Sequence, residues 1–285
     1  MSTATFVPEI WSAELLVAVQ KSLVFGGPSV VNRDYEGEIA EKGDTVHINS
    51  FSDPTISTYT SGTTLTYEDL HTSDQTLVVD QGKSFSFKVD DIDKRQMAGD
   101  LMSKAMQRAG YKLRDGVDQL IEGLFAGVPS ANAVGTVAVT SASPTAAYDS
   151  VLVPLKVKLD EANVSTENRF CVIPPWMHGR LIRDDRFVRA DASGKASGDG
   201  VQGNGYVGQA AGFNIMLSNN CSLVTGDDYR VSAGVPDAIT LAEQITEVEA
   251  LRLQTTIADA VRGLLLYGAK LVRPEMIATA IASQT

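Results

Sequence analysis

The chain has no lysine or arginine anywhere from Asp44 through Gly82. Basic residues are scarce overall: 24 Lys and Arg stand against 35 Asp and Glu, a net charge of −11 in 285 residues. That balance excludes a dedicated nucleic-acid binder, which needs a basic surface to displace counterions. It leaves room for a protein that surrounds nucleic acid without gripping it. Cysteine is rare too. Cys171 and Cys221 lie far apart, which builds neither a disulfide framework nor a zinc spacing. Reduced thiols in a cytoplasm are the expectation. No apolar run has the length of a membrane span. No basic region precedes the first apolar stretch, so no secretory signal is expected.

Catalytic patterns are equally thin. His47, His71 and His178 are the only histidines, and none pairs at a metal-ligand spacing. No Gly-x-Ser-x-Gly elbow occurs. Cys171 and His178 flank a strand-to-helix step, with Asp184 and Asp185 following. Phe170 and Val172 beside Cys171 favour a buried structural thiol over a nucleophile. Ala192 to Gly212 is rich in glycine, but no Gly-Lys-Ser/Thr follows and no strand-linked dinucleotide fingerprint is present. A surface loop is the simpler reading.

What the sequence does have is one long helical stripe. Ile92, Ala98, Leu101, Met102, Ala105, Ala109, Leu113, Val117, Leu120, Ile121 and Leu124 recur at three- and four-residue steps. The spacing predicts a helix from Ile92 to Phe125, about 50 Å long. Asp90, Asp91 and Asp93 suit its N-terminus, where Asp90 or Asp91 can cap it. Gly127 before Val128-Pro129 ends it. Gly99, Gly110, Gly116 and Gly123 weaken the helix and point to close packing or a bend. Such a helix needs a sheet to lie on.

Residues 1–35 read as an arm. Pro8, Trp11, Leu15, Ala18, Val19 and Leu23 form an amphipathic helix that Gly26-Gly27-Pro28 stops. It must dock on its own domain or on a neighbour. Gly43-Asp44 then turns into an alternating strand, Thr45 to Ser50. Leu77, Val79, Phe85, Phe87 and Val89 share one parity, hence one strand face. The simplest reading is a single hairpin from Asp44 to Val89, with a polar tip from Ser52 to Gln75. Each arm would reach about 60 Å at ~3.3 Å per residue. A two-stranded ribbon of that length is unstable alone in water. Either another chain covers it or it folds back on its own domain.

Further on, Thr136 to Thr140 has strand character. Asp149 is placed to cap a helix running to Ala162, with Pro154 in its first turn. Arg169 to Ile173 reads as a buried strand, and Pro174-Pro175 starts a helix through Ile182. Phe213 to Leu217 alternates as a strand, with a turn at Ser218-Asn219-Asn220. Asp237 to Ala282 reads as strands with short breaks, helix being the alternative for Leu241 to Ala260.

This order of elements resembles the major capsid proteins of tailed bacteriophages, the HK97 fold. Phe6-Val7-Pro8-Glu9-Ile10-Trp11, Gly43-Asp44-Thr45-Val46 and Arg169-Phe170-Cys171-Val172-Ile173-Pro174-Pro175 carry the likeness. So do Gly208-Gln209-Ala210-Ala211-Gly212-Phe213, Ser218-Asn219-Asn220 and Tyr267-Gly268-Ala269-Lys270-Leu271-Val272-Arg273-Pro274-Glu275. The resemblance implies an α+β fold with an N-terminal arm (1–35) and an extended β-hairpin loop (36–90). It implies a peripheral domain with the spine helix on a sheet (91–130 and 241–285), and an α/β axial domain (131–240).

The implied function is a major capsid protein that self-assembles, as hexamers and pentamers, into an icosahedral head around packaged double-stranded DNA. Expected partners are copies of itself, a portal protein, a separate scaffold protein and a cement or decoration protein, with no membrane. The place is the virion, assembled in the host bacterial cytoplasm. The resemblance implies no catalytic residue, cofactor or metal. Trp11 on the arm and Tyr59, Leu65 and Tyr67 near the ribbon tip are the expected intersubunit contacts, because aromatics are enriched at interface hot spots. Some members seal the shell by bonding a loop lysine to a neighbour's asparagine. The lysine-free stretch predicts no such bond here, Lys83 lying at the ribbon's base. An encapsulin-type nanocompartment shares the implied fold and is the alternative. A small-molecule α/β enzyme using the glycine-rich loop is a more distant one.

Overall fold

A computed structural model describes residues 24–34, 45–51, 55–56, 58, 60–62, 69, 72–90, 101–184, 208–253 and 258–284. The spine is helix α1, Leu101–Leu124, ending in a tight 3-10 turn, Phe125–Gly127. At 1.5 Å per residue α1 is about 36 Å long. The expected first turns, with Asp91, Asp93 and Gly99, fall outside the described residues, as do Trp11 and the rest of the arm before Val24. The stripe faces inward as its period requires: Leu113, Val117, Ile121 and Phe125 are buried.

They lie on a three-stranded antiparallel sheet. Its strands are β3 (Gln81–Asp90), β10 (Ile239–Arg252) and β11 (Ala258–Leu271), with β11 in the middle. Strand, not helix, therefore holds from 239 to 252. Val248, Val261, Leu265 and Tyr267 complete this core with the end of the arm, Phe25, Val30 and Val31. Phe125 bridges two aromatic contacts, with Phe25 at 5.8 Å and Phe170 at 6.5 Å between ring centroids.

The ribbon differs from the expected single hairpin. β1 (Thr45–Phe51) pairs antiparallel with β2 (Thr72–Val78) as a separate two-stranded sheet, Thr45 opposite Val78 and Phe51 opposite Thr72. After Val79-Asp80 the chain enters β3, which pairs with β11 instead. The shared parity from Leu77 to Val89 thus spans two sheets. Leu77 and Val79 pack with Ile48, Ala242 and Leu266, whereas Phe85 and Phe87 pack on the spine's core. The paired ribbon ends at Val78, not Val89.

A second, mixed sheet holds seven strands. They are β4 (Ala133–Ala138), β5 (Phe170–Ile173), β6 (Gln209–Ala210), β7 (Phe213–Leu217), β8 (Leu223–Thr225), β9 (Asp228–Gly234) and β12 (Ile277–Ser283). The order is β4-β12-β9-β5-β7-β6, with β8 also on β9. β5 is buried on both faces: Phe170 and Val172 join the spine's core, Cys171 and Ile173 the opposite one. That second core is covered by helices α2 (Val153–Glu161) and α3 (Pro175–Ile182) through Leu155, Leu159, Met177 and Leu181.

Two sequence expectations are corrected here. Asp149 is not the residue at the start of the helix; it lies inside a π-helical turn, Ala147–Leu152, that runs straight into α2. The last strand, grouped by sequence with 241–285, hydrogen-bonds between β4 and β9 in the seven-stranded sheet. Its small residues Ala278, Ala280 and Ala282 are buried in that sheet's core.

Candidate assembly site

The spine presents three buried charged residues in one row. Arg114, Asp118 and Glu122 are each four apart, so they share a helix face beside the apolar stripe. Asp118 and Glu122 each tether a different part of the chain to the spine. Asp118 accepts hydrogen bonds from the backbone N–H of Gly26 at 3.2 Å and of Val24 at 3.4 Å, which fixes the end of the arm on the spine. Glu122 accepts from Ser222 Oγ at 2.6 Å and from Arg230 Nη1 at 3.1 Å, which ties the spine to β9 and to the loop before β8. Arg114 stacks on the Tyr111 ring, 4.5 Å from its centroid. The sequence reading passed over this row. Its signal was the i, i+4 recurrence of charge directly beside an apolar stripe.

Burial pushes the Asp118 carboxyl above the ordinary carboxylate value, and the N–H groups of Gly26 and Val24 pull it part of the way back. The sign of the linkage follows. With the folded value raised, the favourable contribution is complete below the unfolded value of 3.8 and is lost as pH rises through the folded one. Asp118→Asn removes that titration while keeping one acceptor. The thermal midpoint of the variant minus that of the wild type is expected to shift in the variant's favour between pH 3 and pH 7. A difference that is flat with pH would show the carboxyl to be unperturbed.

Arg169, the first residue of the strand motif, is 2% exposed. Its guanidinium donates to Asp160 Oδ1 at 2.6 Å and to the carbonyls of Val164 and Ser165 at 2.6 and 2.7 Å. Hydrogen bonding from Arg169 holds the Asp160 carboxyl below its usual range. This clamp closes the turn between α2 and β5.

The ribbon leaves the body over a small apolar base, with Ile48, Leu77 and Val79 buried against Ala242 and Leu266. Two polar links flank it: Lys270 Nζ donates to the Thr76 carbonyl at 2.8 Å, and Gln75 Nε2 to the Val272 carbonyl at 3.4 Å. Farther out His47 Nδ1 meets Asp74 Oδ2 at 2.6 Å, with both side chains about half exposed. Beyond β1, Ile56 is 96% exposed. Of the expected contact residues, Trp11, Tyr59, Leu65 and Tyr67 all lie outside the described residues. Lys83 packs its chain over Gly116 on the spine, where an added Cβ would collide with it. Close packing thus accounts for Gly116; Gly123 has open space around it.

The residues that invited a chemical reading are placed as structure. Cys171 and Cys221 are unpaired and buried. Burial drives the Cys171 thiol far up, and burial with the nearby Glu122 charge pushes Cys221 up to about 12. Both are protonated at neutral pH, which is the inert state of a thiol. Burial lowers His178. Among the described residues no three His, Cys, Asp or Glu side chains gather as a metal site.

A family model described as phage capsid protein matches residues 52–280. A solved chain from Mycobacterium phage Che8 is 31% identical, with a TM-score of 0.71, over 92% of this chain and 91% of that one. The capsid structure of the cyanophage P-SCSP1u is 17% identical, with a TM-score of 0.67, over 93% of this chain and 90% of that one. The mature capsid of bacteriophage PhiM1 is 15% identical, with a TM-score of 0.66, over 89% and 88%. No curated protein matches. A phage capsid model over most of the chain does not favour the encapsulin-type alternative. The chain belongs to the phage capsid protein family: it is an HK97-fold major capsid protein of a tailed bacteriophage, a structural protein whose many copies form the icosahedral shell of the virion.

Proposed function

We propose that this chain assembles as hexamers and pentamers in the host bacterial cytoplasm and that each ribbon lies over a neighbouring copy. The observation that supports this most is the ribbon itself. It is a two-stranded sheet whose base is buried on its own body, yet Ile56 beyond β1 is 96% exposed. An isolated two-stranded ribbon gains stability only from a further surface, and Ile56 offers that surface an apolar contact. Trp11, Tyr59, Leu65 and Tyr67 are the contacts we assign to that surface. The axial domain comprises 131–240 with the last strand, Ile277–Ser283, added to it. The peripheral domain comprises 91–130 with 241 to 276.

The head encloses double-stranded DNA without sequence-specific contact, and the net charge of −11 suits a lining that does not hold DNA. A portal protein, a separate scaffold and a cement protein complete the reading. Hydrogen exchange tests the ribbon's role. Peptides from Ser52 to Gln75 are expected to exchange about tenfold or more slowly in purified shells than in unassembled copies. Equal exchange in both would overturn the proposal. Shells boiled in detergent are expected to release single chains, since the ribbon brings no lysine to its tip. Covalent ladders would contradict that.

A further inference from the structure

One buried carboxylate on α1 is shared by two segments that lie far apart in the sequence. Asp118 is 4% exposed. Its Oδ1 accepts from the Gly26 N–H and its Oδ2 from the Val24 N–H, at the root of the arm. The Asn220 side-chain amide donates toward the same carboxylate and favours its charged form. Asn220 belongs to the turn that follows β7. Its own N–H is held by Ser218 Oγ at 3.1 Å, and the Ser218 N–H by the Ile173 carbonyl at the end of β5, at 3.2 Å. Cys221, next in the turn, is buried in the spine's core. Ser222 then bonds Glu122, one helical turn beyond Asp118. The 218–222 turn is therefore a seat of the seven-stranded sheet on the spine, and the arm's root ends on the same group.

A line of rings repeats the connection. Phe25 of the root touches Phe125 at the end of the spine, and Phe125 touches Phe170 on β5. Root, spine and seven-stranded sheet meet twice, once through rings and once through Asp118.

Sharing a buried carboxylate couples its donors. The group offers about four lone-pair sites, and each needs a donor where water is shut out. With the root docked, water cannot take the place of Asn220. With the root lifted, it can. Asn220 therefore favours the docked root over the lifted one. By reciprocity the docked root strengthens the hold of Asn220 on the spine.

We infer that Asp118 is a conformational latch: the root of the arm, 24–31, settles firmly on the spine only where the 218–222 turn is already seated. The direction in which the chain before Val24 leaves the spine is then conditional on the seating of the seven-stranded sheet. The latch works within one chain and goes beyond the shell reading, which it does not require.

Hydrogen exchange of the unassembled full chain, read amide by amide, tests this. Asn220→Ala is expected to speed exchange of the Val24 and Gly26 N–H groups about tenfold, a common size for a coupling between sites. The amides of Leu155 and Leu159 on α2, in the other core, are expected to stay within about twofold of the wild type. In an Asp118→Asn background the shared charge is gone, and Asn220→Ala is expected to change the Val24 and Gly26 rates by no more than about twofold. Unchanged rates at Val24 and Gly26 in the single variant would overturn the latch. So would an equal acceleration in the Asp118→Asn background, which would route the effect around the carboxylate. Acceleration of the α2 amides by the same factor would mean general loosening and would overturn it as well. The reciprocal measurement starts from the arm. Val30→Ala trims a buried side chain of the root and is expected to speed exchange of the Asn220 backbone N–H severalfold, again without moving α2. An unaffected Asn220 amide would break the reciprocity and sink the latch. No arm of the experiment needs shells, so the failure of the shell reading and the failure of the latch are told apart.

Discussion

Glu122→Ala is expected to destabilise the unassembled chain by about 3 kcal/mol, the lower end of what breaking a buried ion pair costs. Glu122 is 5% exposed and holds Arg230 and Ser222 together across the gap between the spine and β9. Truncation removes the carboxylate and leaves the Arg230 guanidinium, whose side chain is 17% exposed, without that counter-charge. The residual contact from Arg230 Nη1 to Ser222 Oγ, 3.1 Å, does not neutralise the charge. Partial access to water keeps the effect from reaching the upper end of the range. Urea unfolding of the unassembled chain gives the figure directly.

Two companions separate charge from geometry. Glu122→Gln keeps an acceptor and should lose less. The double variant Glu122→Met with Arg230→Met removes both charges and should recover much of the loss, because an apolar replacement of a buried pair is often neutral. A single-variant loss below about 1 kcal/mol, the level of an exposed pair, would mean that the spine and the seven-stranded sheet are held by apolar packing alone.

The same row shows what the sequence could and could not disclose. α1 was legible because a 3.6-residue period over many turns is local and redundant. β5 was legible because four apolar residues before Pro174-Pro175 leave few alternatives. The charged row beside the α1 stripe carries no local sign of burial, and only the position of Ser222 and Arg230, about a hundred residues away, turns Glu122 inward. β9 does alternate, with Tyr229, Val231 and Ala233 against Arg230 and Ser232, but the run is short and its residues small. The break at Val79-Asp80 was invisible for a different reason. Side-chain parity continues through it, and what changes is the partner strand, which periodicity does not encode. The end strand β12 went to the wrong sheet on the same ground. The intersubunit residues are harder again, since their partners belong to other copies; the chosen aromatics fall outside the described residues.

Gly268→Ala is expected to destabilise by about 2–3 kcal/mol, as overpacking does at a site that cannot relax, and to impair shell formation more than that loss alone explains. β3 pairs with β11 as far as Tyr267, opposite Gln81. The next residue, Gly268, therefore meets the chain where it leaves the ribbon. A Cβ there would sit 2.5 Å from the Val78 carbonyl oxygen and 3.0 Å from Val79 Cα. Both are main-chain atoms, so no rotamer relieves the clash. β11 cannot retreat either, being hydrogen-bonded to β3 on one side and β10 on the other. The ribbon base must lift, pulling Leu77 and Val79 from Ala242 and Leu266 and straining the Lys270 bond to Thr76. Gly123→Ala is the matching control. It lies in α1 with nothing within 4 Å of the added Cβ, so it should gain up to about 1 kcal/mol from helix propensity. If both variants change stability alike, the effect of Gly268 is a generic one. If Gly268→Ala alone loses stability, and its surviving folded chains still fail to form shells at a temperature where Gly123→Ala succeeds, the close approach at Val78-Val79 sets the angle at which the ribbon reaches its neighbour.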